Sequence, residues 1–100
     1  MRNMLFFLLL CPLGILGQIS FSDQSDKLGL GEKGPNYGIA VADFDKDGWE
    51  DIYITRRPGP NRLFKNIGGS FVDVAASAGV DVSIDTKVAL WADFDNDGWL

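Results

Sequence analysis

An all-β repeat fold is predicted by three features of this 100-residue chain. Aspartates stand at alternate positions ahead of a glycine, short β-prone runs flank them, and the pattern returns after fifty residues. Phe21-Ser22-Asp23 matches Phe71-Val72-Asp73, and Gly29-Leu30 matches Gly79-Val80. Ala42-Asp43-Phe44-Asp45 matches Ala92-Asp93-Phe94-Asp95, and Asp47-Gly48-Trp49 matches Asp97-Gly98-Trp99. No insertion disturbs the spacing. A period of this size suits propeller blades or a solenoid array, in which each unit covers its neighbour's apolar face.

The chain opens on a leader rather than on the fold. Met1-Arg2-Asn3 is a short positive start, and an apolar run from Met4 to Leu10 continues through Cys11 to Gly17. Charge, apolar stretch and small residue in that order predict a secretory signal peptide over residues 1–17, with the repeats over 18–100. Pro12 and two glycines interrupt the run, which is short for a membrane span. No span is expected once the signal is removed. Leu10 ahead of Cys11 is too large for lipid attachment, and removal of the leader takes the single cysteine with it. Disulfides therefore contribute nothing to the mature piece.

Strand signals then follow in order. Ile39–Ala42 and Ile52–Thr55 flank the first acidic loop. Arg56-Arg57-Pro58-Gly59-Pro60 is a breaker-rich connection. Asn61–Asn66 and Ser70–Val74 are short strands joined by Ile67-Gly68-Gly69, a hairpin in which glycine supplies positive φ without a steric cost. Ala75–Ala78 predicts one helical turn closed by Gly79. The count is three main strands between Ile39 and Val74, with Lys87–Ala92 opening a second unit.

The acidic loop carries the chemistry. Four acids packed together repel one another unless a counter-charge lies among them. Calcium takes several oxygen ligands at about 2.3–2.6 Å, which short acidic side chains on a turning backbone supply. An EF-hand would place a bidentate Glu at position twelve, but counting from Asp43 that position is Ile54. Position nine is Asp51, which can close the cage. The expected ligands are the side chains of Asp43, Asp45, Asp47 and Asp51 with the backbone carbonyl of Trp49, and Gly48 permits the turn. The flanking runs make this a strand–loop–strand site.

Composition excludes several classes of function. Nine basic against fourteen acidic residues give a net charge of −5, which argues against a nucleic-acid partner. Histidine is absent, so the usual general base and the commonest zinc ligand are missing. No residue set is catalytic, and the chain is not expected to be an enzyme. Trp49 and Trp99 occupy matching positions, which favours packing between units over sugar stacking. Phe44 and Phe94 are expected as core anchors. Arg56-Arg57 is expected to be an exposed loop pair.

These motifs resemble the FG-GAP (VCBS-type) repeat family, and within it the group of ASPIC/UnbV and cartilage acidic protein-like members. The resemblance runs through Gly38–Ile54, Asn61–Asn66 and Phe71–Val80, in the family's order, and spans roughly residues 21–100. It implies one complete and one partial β-propeller blade, the N-terminal fragment of a longer propeller. It places structural Ca²⁺ on Asp43, Asp45, Asp47 and Asp51, and on Asp93, Asp95 and Asp97 with the carbonyl of Trp99 in the second loop. It implies a secreted or envelope-exposed scaffold for an extracellular protein or glycan partner. The alternative is a non-catalytic accessory propeller of a larger extracellular enzyme.

Overall fold

The computed structural model describes residues 18–31 and 33–100, so the leader expected over 1–17 lies outside the described residues. A one-turn helix α1 (Ser25–Leu28) precedes strands β1 (Asn36–Ala42), β2 (Asp51–Arg56), β3 (Arg62–Asn66) and β4 (Phe71–Asp73), and helix α2 (Ala75–Ala78) follows. The strands form one antiparallel sheet in the order β1-β2-β3-β4, an up-and-down meander. This is the all-β blade that the sequence predicts, with four strands where three main ones were counted. The strand beyond the three main ones is β4, which lies within the expected short strand Ser70–Val74 and pairs with β3 as Phe64↔Asp73, Lys65↔Val72 and Asn66↔Phe71.

Local chemistry fixes the connections. Asn66 Oδ1 accepts from the amides of Gly68 (3.0 Å) and Gly69 (2.9 Å), which shapes the β3–β4 hairpin around two positive-φ glycines. Gly79 adopts φ 73° and ends α2, with the Val80 amide returning to Ala75 O at 2.9 Å. Asp73 Oδ1 accepts from Leu63 N (3.3 Å) and Ala75 N (3.0 Å), tying β3, β4 and α2 together.

Leu63 and Phe64 are both buried although they point to opposite faces, so β3 is covered on both sides. The outer strand β1 differs. Its Tyr37, Ile39 and Val41 are exposed, while Gly38, Ala40 and Ala42 form a row of small residues on the opposite face. Trp91 lies against that row, its indole nitrogen donating to Ala40 O at 3.4 Å and its ring meeting Tyr53 edge-on at 6.4 Å.

The segment Lys87–Ala92 is a correction to the expected second-unit strand, for it has no strand assignment. It crosses the face of β1 instead of pairing along an edge. A Cβ on Gly38 would stand 2.8 Å from Lys87 O and 3.2 Å from Val88 Cα. A strand requires an edge partner for its amides. Face-on contact satisfies its side chains without building that ladder.

Candidate metal centre

Residues 43–50 connect β1 to β2, and the last β1–β2 pair is Ala42↔Asp51, so the ninth position of the acidic pattern opens β2. The strand–loop–strand placement agrees with the sequence. Asp43 organises the bend by accepting from Asp47 N (3.1 Å) and Gly48 N (2.8 Å). Lys46 takes φ 58° and Gly48 φ 90°, so two of the loop residues are left-handed. Sequence reasoning required this only of Gly48. Asp47 Oδ1 accepts from Trp49 N at 2.9 Å.

Asp51 is fully buried, which an ionised carboxylate tolerates only with partners. Its Oδ2 accepts from Phe44 N (3.2 Å) and its Oδ1 from Asn66 N (2.8 Å). The second bond reaches across the sheet and pins the acidic loop to the end of β3.

Asp43, Asp45, Asp47 and Asp51 each bring a carboxylate oxygen within 4.8 Å of those of the other three. Asp45 Oδ1 is buried and, among the described residues, has no hydrogen-bond partner. An all-oxygen donor set with one buried acceptor left over fits a hard divalent cation better than a soft one. Trp49 occupies the seventh place, with its side chain half exposed beside the hairpin at Gly68.

The counter-charge that four acids require is Lys65, which sequence reasoning missed. It projects from β3, pairs with Asp45 Oδ2 and lies 2.7 Å from Asp47 Oδ2. Its bonds to Asp45 and then to Asp47 raise its ammonium above the ordinary lysine range. In return the Lys65 bond, followed by the Trp49 amide, holds Asp47 below the usual carboxylate range. The usable signal was strand alternation. Lys65 pairs with Val72 beside a hairpin, on a strand whose next residue binds Asp51.

The second loop repeats the bend in detail. Asp93 accepts from Asp97 N (3.1 Å) and Gly98 N (2.7 Å), Asp97 Oδ1 accepts from Trp99 N (2.9 Å), and Asn96 and Gly98 take φ 58° and 90°. Asp93, Asp95 and Asp97 place carboxylate oxygens within 4.8 Å of one another. Burial pushes the Asp93 carboxyl up, but the amides of Gly98 and Asp97 outweigh it and hold the group below its usual range.

The loops also touch. The Lys46 ammonium lies 4.2 Å from the ring centroid of Trp99, a contact between units, whereas Trp49 stands beside Gly68 of its own unit, so among the described residues the packing between units expected of both tryptophans is made by Trp99 alone. Phe44 stacks on Trp91 at 5.9 Å, as a packing anchor should. Phe94 is a correction, because it is 94% exposed instead of buried. Trp91 covers Phe44, whereas no aromatic ring of the described residues stacks on Phe94. Arg57 pairs with Asp85 at 2.7 Å on the surface.

A family profile described as FG-GAP-like repeat matches residues 43–100, which covers both acidic loops. Cartilage acidic protein 1 of Xenopus tropicalis is 40% identical over 84 residues, covering 82% of this chain and 13% of that protein. The Mus musculus and Homo sapiens proteins of the same name are each 39% identical over 85 residues, covering 82% of this chain and 13% of each. The chain thus spans about an eighth of the length of the relatives it matches.

Proposed function

This chain belongs to the FG-GAP-like repeat family, and from that membership we propose that it is a calcium-binding β-propeller module of a secreted protein, an interaction scaffold and not a catalyst. The ion is structural. Asp43, Asp45, Asp47 and Asp51, with the carbonyl of Trp49, hold it in the first loop. Asp93, Asp95 and Asp97, with the carbonyl of Trp99, supply the second. The observation that carries this reading is the convergence of four carboxylates, one fully buried and one with a buried unpartnered oxygen. Bound calcium would offset their mutual repulsion and tie the end of β1 to the start of β2.

The leader sequence over 1–17 supports export, and no helix of the described residues is long and apolar enough to cross a membrane. The acidic balance favours an extracellular protein or glycan as partner over nucleic acid. Extracellular sites of this class bind at about 10⁻⁴–10⁻³ M, suited to a compartment rich in calcium.

Thermal melts with and without calcium test the proposal. Calcium is expected to raise the melting temperature of the native chain, and Asp45→Ala is expected to abolish that rise. Identical melts of the native chain in calcium and in chelator would sink it.

A further inference from the structure

One feature of the acidic loops bears on how a cation is taken up. The first has a lysine in it. Lys65 comes from a different element, β3, and its ammonium bridges Asp45 Oδ2 and Asp47 Oδ2, carboxylates from the third and fifth places of the loop. The loop's own Lys46 is occupied elsewhere, its ammonium 4.2 Å from the ring centroid of Trp99.

We propose that Lys65 is a tethered competitor for the first cation site, a resident single charge that holds the acidic loop together without metal and lowers its affinity for a divalent ion. The inference rests on the calcium reading of the loop and concerns how that site is tuned. Two of the four converging carboxylates already share the ammonium. A divalent ion entering beside it meets a like charge a few ångströms away, and binding must either displace the ammonium or bear that repulsion. The Lys65 side chain can leave without disturbing the sheet. Its backbone is held by pairing with Val72, and its ammonium also lies 5.8 Å from the face of Phe44, an alternative seat. The carboxylates of Asp43 and Asp51 are held by backbone amides and do not depend on the ammonium.

Lys65 could instead act as an outer clamp that orients Asp45 for the metal. The two roles predict opposite signs. A clamp removed weakens calcium binding, whereas a competitor removed strengthens it.

The test is calcium titration of the full chain by calorimetry, for the native protein, Lys65→Met and Lys65→Arg, with melts in chelator and in saturating calcium. Lys65→Met is expected to bind calcium roughly tenfold more tightly at its first-loop site, the order expected when a unit charge is withdrawn about 5 Å from a divalent ion in a hydrated loop. It is expected to melt below the native chain in chelator and to match or exceed it in saturating calcium. Lys65→Arg, which keeps the charge, is expected to bind as the native chain does and shows that the position accepts substitution. Equal or weaker binding by Lys65→Met, or a lower melt in calcium as well as in chelator, overturns the competitor role and leaves the calcium reading intact. An absence of calcium binding by all three chains overturns both.

Discussion

Asn61 illustrates how much one polar side chain can organise when it is fully buried. Its Oδ1 accepts from Arg56 N at 3.0 Å, and its Nδ2 donates to the Tyr53 hydroxyl at 3.1 Å and the Thr86 hydroxyl at 3.3 Å. The Tyr53 hydroxyl in turn donates to Val80 O at 2.8 Å, and Asn61 N donates to Val82 O at 3.0 Å. One residue thereby ties the end of β2 to the segment after α2. Asn61→Ala strands several buried groups at once, and each orphan costs about 1–3 kcal/mol. A total loss of roughly 2–4 kcal/mol is expected, read as a lower denaturant midpoint at unchanged slope. A loss below about 0.5 kcal/mol would show that water replaces the amide. The sequence marked Asn61 only as the first residue of a strand. Its role depends in part on Val82 and Thr86, twenty or more residues away, which local patterning does not encode.

Asp73 plays the corresponding part among the elements of the sheet. Its Oδ2 pairs with Arg62 at 2.6 Å, while Oδ1 takes the amides that join β3 to α2. Burial pushes its carboxyl up, and the bonds from Arg62, Ala75 N and Leu63 N together outweigh that and hold it below the usual range. A folded-state value below the unfolded one means that the unfolded chain binds the proton more readily. The associated stability is present above the unfolded value and is lost as pH falls through the folded one. Asp73→Asn is expected to lower stability at pH 7 and to flatten its decline between about pH 5 and pH 2, measured as denaturant midpoints across that range. A native-like slope would assign the acid lability to other carboxylates. Elements were the best-read level of the sequence. The acidic loop, the glycine hairpin and the α2 turn all stand where short-range chemistry placed them, because their bonds span only a few residues. Lys87–Ala92 was misread for the complementary reason. Its apolar composition suits a strand, but whether it finds an edge or a face depends on what lies opposite.

On the scale of the whole molecule, the small-residue row of β1 decides how the second unit begins. Gly38, Ala40 and Ala42 leave room for residues 87–91, and Trp91 fills the space over Ala40 and Tyr53. Gly38→Val would drive side-chain carbon into Lys87 O and Val88 Cα, both backbone. The second unit is expected to lift off the first while the four-stranded sheet persists. The readouts are a red shift of tryptophan emission and faster proteolysis between Val80 and Trp91, with the β signal in circular dichroism retained. Loss of that β signal would show that the sheet depends on the contact. The opposite face of β1 carries the larger side chains. Ile39 and Val41 are the fifty-residue counterparts of Ala89 and Trp91 and remain exposed, while the Lys87 ammonium reaches to 4.5 Å from the ring centroid of Tyr37. The period was legible in the sequence. That the first unit presents one face covered and the other open was not, since it depends on the direction in which each unit leans.

The bend from Asp43 to Gly48 closes on bonds that reach only four and five residues along the chain, whereas Asp51 waits for Asn66 and Asp45 for Lys65. During synthesis the two halves of the cage therefore become available at different times. The turn can form as soon as Gly48 leaves the ribosome, and its acidic side chains stay unneutralised until β3 has followed. In that interval the loop carboxylates gather without the ammonium that pairs with two of them in the folded chain.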